Sequence, residues 1–181
     1  RSGWGGRVAD AVAGSNASVF TAISAAGTAV WLSGQNVRQY QVSGSGAVRL
    51  GGSTVYDSAK VASTLEAIAG VVQGNHVLDA DVAAIASRSI AAEQTLRGKL
   101  SPAADVAFGT PSASYNPTLD PKLQYLNPLN GKNEFSVLAN QLQVVARIIQ
   151  AGQAGGLGVK RQVFFVSLGG FDTHSGQNQR H

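Results

Sequence analysis

Residues 161–175 have the sequence Arg161-Gln-Val-Phe-Phe-Val-Ser-Leu-Gly-Gly-Phe-Asp-Thr-His-Ser175, an apolar run followed by a glycine pair, an acid and an imidazole. The run from Val163 to Leu168 contains a single polar residue and does not alternate, and its valine and phenylalanine content favours a strand over a helix. Such a run is typical of a strand that is covered on both faces of a parallel sheet. We therefore predict a parallel central strand over residues 162–168.

Ligand-binding side chains are predicted directly beyond this strand. Gly169 and Gly170 allow the backbone to turn, and Asp172 and His174 would project to the same side of an extended loop because they are two residues apart. Ligands of open α/β sheets bind at the carboxyl ends of the strands. A carboxylate oxygen and an imidazole nitrogen suit Zn, Mn or Fe. The alternative is a turn in which Asp172 caps backbone N–H groups and accepts a hydrogen bond from His174.

Three segments of the chain resemble the bacterial family catalogued as domain of unknown function 1501. They are the run at residues 163–175, the preceding sequence Asn140-Gln-Leu-Gln-Val-Val-Ala-Arg-Ile-Ile149, and the opening Ser2-Gly-Trp-Gly-Gly-Arg-Val-Ala-Asp10. That family is assigned to the alkaline phosphatase and sulfatase superfamily, whose members hold two metal ions at the strand ends of an α/β sheet. The resemblance implies an alkaline phosphatase-like, three-layer α/β sandwich with a mostly parallel central sheet.

The resemblance also implies ligands and an activity. Asp172 and His174 would bind metal, and His181 is a third candidate ligand because members of the family have a histidine at that distance beyond the aspartate. Divalent metal ions such as Zn or Mn, two in the intact protein, would polarise a phosphoryl or sulfuryl oxygen of a small anionic ester. The catalytic nucleophile, a Ser or Thr, would lie outside this chain. Ser175, directly after His174, is the hydroxyl considered within this chain.

The domain organisation is predicted from the same resemblance. Residues 1–181 would be part of a single α/β domain, truncated here, that the remainder of the same polypeptide completes. A complete small domain is the alternative, since 181 residues suffice for one core. Residues 15–130 would form a helical and β excursion that includes a Pro-rich loop at 101–133. Residues 134–181 would supply the core helix, the strand and the site loop.

Helical periodicity and capping residues predict four helices. The first covers Trp4–Ala13 with Trp4 as a core anchor, and the second covers Asp57–Val72 with Asp57 as its N-cap. The second helix has a predicted apolar stripe that consists of Val61, Leu65, Ile68 and Val72. A third helix is capped by Asp79 or Asp81 and fades toward Gly98. The fourth covers residues 134–151 and begins after Asn133. Its predicted core face contains Phe135, Leu138, Leu142, Val145 and Ile149.

Strands and loops occupy the rest of the excursion. Alternation and glycine punctuation predict strands between Ser18 and Leu50. All five prolines lie in the 101–133 loop, which excludes a long helix or a central strand there. Tyr115 and Tyr125 in this loop either contact substrate or pin the loop to the body of the protein.

Composition and charge narrow the class of partner. The net charge is +4, but the basic residues are scattered, so no nucleic-acid partner is expected. Apolar runs are short, so no membrane span is expected. The absence of cysteine rules out disulfides and thiolate metal sites.

The resemblance implies twin-arginine export to the periplasm or the medium. The function predicted is an exported bacterial metal-dependent hydrolase of phosphate or sulfate esters, and the alternative is a non-catalytic exported binding or structural protein that retains the fold.

Overall fold

The computed structural model describes residues 2–13, 18–50, 54–72, 74, 77–153 and 156–171. These residues form a mixed α/β protein with four α-helices, a small parallel sheet of three strands and a two-stranded antiparallel sheet. The helices are α1, Trp4–Ala13; α2, Ala59–Ala69; α3, Val77–Lys99; and α4, Val137–Gln153. The strands are β1, Ala22–Ser24; β2, Tyr40–Gln41; β3, Gln124–Leu126; β4, Asn133–Phe135; and β5, Val163–Phe165.

The chain divides into two compact units. The inserted unit, Gly46–Leu100, contains α2 and α3. The sheet unit consists of Arg1–Ser45 and Ser101–His181 and contains the other two helices and all the described strands. The inserted unit lies within the predicted excursion at residues 15–130.

The parallel sheet has the strand order β2-β1-β5. Ile23 of β1 pairs with Tyr40 of β2 and with Phe164 of β5. All three residues of β1 are buried, whereas the three residues of β5 are only half-buried. The central strand of the described sheet is therefore β1.

The prediction for β5 is right in direction and wrong in position. The strand is parallel to β1, as expected, but it spans Val163–Phe165 rather than 162–168 and lies at the edge of the described sheet. It ends early because the backbone of Ser167 is hydrogen-bonded by the side chain of Gln141 and not by a neighbouring strand. A run of apolar residues predicts a buried strand, but it does not say how many strands flank it.

Helix α1 has the predicted bounds but a different role for its aromatic residue. Trp4 is 62% exposed, so its prediction as a core anchor is wrong. Its ring lies against Trp31, with 5.7 Å between the ring centroids. The buried residues of the helix are Gly5, Gly6 and Ala9. Their small size brings α1 close to the 3-10 turn at Val30–Leu32, which replaces one of the strands predicted in this region.

The core of the sheet unit beside α1 is built mainly from small side chains. Its buried residues are Ala9, Ala22, Ala29, Leu32 and Val37.

Asp10 at the polar side of α1 accepts hydrogen bonds from the backbone N–H groups of Gln35, Asn36 and Val37. These bonds lower the pKa of Asp10 below its usual value. They also fix the loop that leads into β2, because three consecutive N–H groups converge on one carboxylate.

Helices α2 and α3 begin at other residues than predicted. Ser58 caps α2, with its Oγ accepting a hydrogen bond from the N–H of Val61, whereas Asp57 has a φ of 57° and precedes the cap. Helix α3 starts at Val77, so that Asp79 lies inside its first turn instead of capping it. In α2 the predicted apolar stripe is largely exposed, and Ala62 and Glu66 are the buried residues. The stripe consists of Val61, Leu65, Ile68 and Val72.

Helix α4 begins at Val137 and not at residue 134. Ser136 caps it by accepting a hydrogen bond from the N–H of Ala139, because Asn133–Phe135 form β4 and pair with Gln124–Leu126 instead. The predicted core face is also partly wrong, since Leu142 is 48% exposed while Val145 is buried. The buried residues of the helix include polar and charged side chains as well as apolar ones. They are Gln141, Gln143, Val144, Val145, Arg147, Ile148 and Ala151.

Candidate functional site

The predicted metal ligands follow the last residue that the structure describes. Asp172, His174 and His181, together with Ser175, lie outside the described residues, so their placement stays a prediction. What the structure does describe is the approach to them. The chain leaves β5 at Phe165 and continues through Val166 to Phe171 beyond the carboxyl end of the strand.

A buried glutamine holds this approach in place. Gln141 of α4 accepts a hydrogen bond from the N–H of Ser167 at 2.8 Å and donates one from Nε2 to the carbonyl oxygen of Ser167 at 3.0 Å. The side-chain amide thus makes the two hydrogen bonds to the backbone of Ser167 that a residue of a neighbouring strand would make. Because Gln141 is itself buried, both bonds are shielded from competition by water. The segment that leads to residue 172 is therefore held at Ser167 by two hydrogen bonds to Gln141.

The backbone conformation at Gly170 favours a glycine. Gly170 has a φ of 94°, a backbone conformation that residues with a Cβ rarely adopt. Among the described residues, no neighbouring atom lies within 4 Å of the position that a Cβ would take at Gly169 or Gly170, so the requirement comes from the backbone and not from crowding. Leu168 and Phe171 are both exposed. Residues 166–171 contain neither a turn nor a bend, so the structure shows a glycine conformation at Gly170 but not the predicted turn at the glycine pair.

The neighbouring strands end in polar groups. Ser24, at the end of β1, is fully buried, and its Oγ accepts a hydrogen bond from the N–H of Ala26. Beyond β2, the hydroxyls of Ser43 and Ser45 are hydrogen-bonded at 2.7 Å. Because β1, β2 and β5 are parallel, these groups lie at the same edge of the sheet as Ser167. The carboxyl edge of the sheet is therefore lined by short polar side chains.

Asn140 is a residue at this edge that sequence patterns do not identify as part of a site. It precedes Gln141 on α4, and its side-chain amide lies so close to Gly44 that a Cβ there would collide with it. Its Oδ1 is buried and has no hydrogen-bond partner among the described residues. An amide oxygen of this kind accepts a hydrogen bond from a ligand or binds a hard cation. The available signal in the sequence is a cluster of Asn and Gln residues within an otherwise apolar helix.

The Pro-rich loop is pinned to α4 by its first tyrosine. The hydroxyl of Tyr115 donates a hydrogen bond to Asp120 at 2.8 Å and accepts one from Gln143 at 2.8 Å. Burial, opposed by the hydrogen bond from Gln143, raises the pKa of Tyr115. Tyr125 is half-exposed and donates a hydrogen bond to Glu134 across the β3–β4 pair. Tyr115 therefore makes the pinning contact that was one of the two predicted roles, whereas the hydrogen bond of Tyr125 stays within the β3–β4 hairpin.

The described part of the chain contains no second candidate for a metal site. Within the ranges given above, no group of three or more His, Cys, Asp or Glu side chains is placed to hold a metal ion.

No helix among the described residues has the length and apolar character needed to cross a bilayer. No protein-family model, no curated protein and no solved structure matches the chain.

Proposed function

We propose that this chain contributes to a metal-dependent hydrolase of phosphate or sulfate esters that is exported from a bacterial cell. Asp172, His174 and His181 would hold one of two divalent metal ions. The observation that supports the proposal is the path of residues 163–171, a parallel strand followed by a glycine with a φ of 94° two residues before Asp172. In parallel α/β sheets this is the position from which side chains reach a ligand.

The proposal includes a larger fold than the described sheet. Strands β1, β2 and β5 would belong to the central sheet of an alkaline phosphatase-like three-layer sandwich, with further strands supplied by other parts of the polypeptide. The edge position of β5 is compatible with this arrangement, because its outer side can pair with another strand. The nucleophile would also come from outside residues 1–181.

The metal ions would supply charge stabilisation at the phosphoryl or sulfuryl oxygen. The part of this chain would be to hold Asp172 ionised and His174 neutral as ligands. Gln141 would keep the loop before them in register through Ser167. The buried Oδ1 of Asn140, without a partner among the described residues, would accept a hydrogen bond at the same edge.

The experiment compares metal binding by single variants of this chain. Zn²⁺ and Mn²⁺ are titrated into each protein, and binding is measured at equilibrium by calorimetry. We expect weak binding that is lost in Asp172→Ala and reduced in His174→Ala. His76→Ala is the matched control, since this histidine is not among the predicted ligands, and it should bind metal as the parent chain does.

The activity is tested on p-nitrophenyl phosphate and p-nitrophenyl sulfate. We expect no turnover by the 181-residue chain alone and metal-dependent turnover by a longer polypeptide that carries the nucleophile. Metal binding that is unchanged in both Asp172→Ala and His174→Ala would contradict the ligand assignment and leave Asp172 as a turn-capping residue. Metal binding without turnover in the longer polypeptide would favour the non-catalytic alternative.

A further inference from the structure

The inserted unit contains a cavity of its own. Its volume is about 360 Å³, and its apolar lining includes Val48, Leu50, Ala86 and Ile90. Cavities that bind small molecules begin at about 300 Å³ and are lined mostly by apolar side chains around a few polar groups. The volume lies near the lower end of the range for such cavities. Val48 and Leu50 are exposed, so the cavity opens to solvent on their side.

A buried carboxylate faces this cavity. Glu93 of α3 lines the cavity and is only 3% exposed. Its Oε1 lies 2.8 Å from Nε of Arg97, which forms an ion pair one helical turn away. The geometry of this pair is not that of a hydrogen bond, and neither carboxylate oxygen has a hydrogen-bond partner among the described residues. Two acceptor oxygens are thus withdrawn from water and have only an ion pair and no hydrogen bond, which is uncommon for a charged group.

The second acid that lines the cavity, Glu66, has hydrogen-bond partners, unlike Glu93. Glu66 of α2 accepts two hydrogen bonds from Arg49, from Nε at 2.6 Å and from Nη2 at 3.2 Å. The hydrogen bond from Arg49 lowers the pKa of Glu66 and raises that of Arg49. This bidentate pair satisfies the carboxylate. The acceptor that remains for a ligand is therefore the carboxylate of Glu93.

We propose that this cavity binds a primary alkylammonium ion, with the ammonium group on Glu93 and the alkyl chain against Val48, Leu50 and Ile90. An ammonium group is compact and has three donors and no acceptor, which matches a carboxylate whose two oxygens lack hydrogen bonds. The apolar lining favours a short hydrocarbon chain over a second charged group. A metal ion fits less well, because one of the two acids here is already held by a bidentate arginine.

The test uses n-butylammonium chloride, titrated into the protein and followed by the backbone amide resonances of Ala86, Ser89 and Ile90. We expect saturable shifts in the millimolar range, the usual affinity of a ligand with so few heavy atoms. Ammonium chloride and n-butanol are the matched probes, one without the alkyl chain and the other without the charge. Each should bind at least about tenfold more weakly.

Two variants separate the charge from the cavity. Glu93→Gln keeps the shape and removes the charge, and Ala86→Leu fills the cavity and keeps Glu93. Both should weaken n-butylammonium binding by at least about tenfold, while Glu134→Gln in the sheet unit should leave it unchanged. The circular dichroism melting curve checks that each variant is folded. Absence of saturable binding by the parent protein, or equal binding by the folded Ala86→Leu variant, would overturn the proposal.

Discussion

The carboxylate of Asp120 should stabilise the sheet unit in a way that depends on pH. It is 3% exposed and accepts hydrogen bonds from the N–H and hydroxyl of Thr110, from the hydroxyl of Tyr115 and from the N–H of Lys122. Burial alone would raise its pKa, but these bonds outweigh burial and lower the pKa from 3.8 to about 2. The difference corresponds to about 2 kcal/mol of folding free energy in the ionised form.

The direction of the pH dependence follows from the lowered pKa of Asp120. Because the folded state binds the proton less tightly than the unfolded state, the contribution is fully present above pH 3.8 and is lost as the pH falls to about 2. Asp120→Asn removes the charge and places an amide N–H₂ group opposite one of the present donors. We therefore expect the variant to lose about 2–4 kcal/mol of unfolding free energy at pH 7. Its deficit should shrink between about pH 4 and pH 2.

Urea unfolding followed by tryptophan fluorescence is the appropriate assay, since Trp4 and Trp31 both lie in the sheet unit. Asp105→Asn is the control, because Oδ1 of Asp105 accepts a hydrogen bond from the N–H of Ala107 that an asparagine can also accept. The control should differ from the parent by less than about 0.5 kcal/mol. A deficit of Asp120→Asn that is the same at pH 7 and at about pH 2.5 would refute the electrostatic part of the reasoning.

Three further changes have expected outcomes that the same fluorescence assay or amide exchange can check. Gln141→Leu should cost about 2 kcal/mol and accelerate hydrogen exchange at Ser167, because it removes both bonds to that residue; an unchanged exchange rate would contradict this. Gly170→Ala should cost about 1 kcal/mol through its φ of 94° alone, and unaltered stability would show that the backbone at this position adapts. Ser58→Ala should lower the stability of α2 by about 1 kcal/mol, measured by amide exchange near Val61, and equal protection would exclude a capping role.

The sequence predicts the elements of this fold better than their surroundings. The bounds of α1 and the strand character of β5 follow from local patterns, since periodicity and strand propensity are properties of a few neighbouring residues. The burial of Glu66 does not follow, because it depends on Arg49, seventeen residues earlier in the chain. The central position of β1 does not follow either, since Ala22, Ile23 and Ser24 include only one residue with a high strand propensity.

The candidate site is predictable from the sequence only as far as its approach. The positive φ at Gly170 is predictable, because glycine adopts this conformation more readily than any other residue. The roles of Asn140 and Gln141 are not predictable, since polar residues in an amphipathic helix ordinarily face solvent. Gln141 and Oδ1 of Asn140 are buried because the sheet brings Ser167 and Gly44 beside them.

The polar residues of α4 explain why a segment as irregular as the Pro-rich loop can pack against a helix. Irregular backbone has carbonyl groups that neither a helix nor a sheet satisfies, and burying them without partners is costly. Gln143 donates hydrogen bonds to carbonyl oxygens of this loop. Arg147, 4% exposed, donates to the carbonyl oxygens of Ser45 and Ser101, the two residues at which the chain leaves and re-enters the sheet unit. Desolvation lowers the pKa of Arg147, a cost that these backbone contacts offset. An apolar face on α4 would have matched the amphipathic pattern, but it would have left those carbonyl groups unsatisfied.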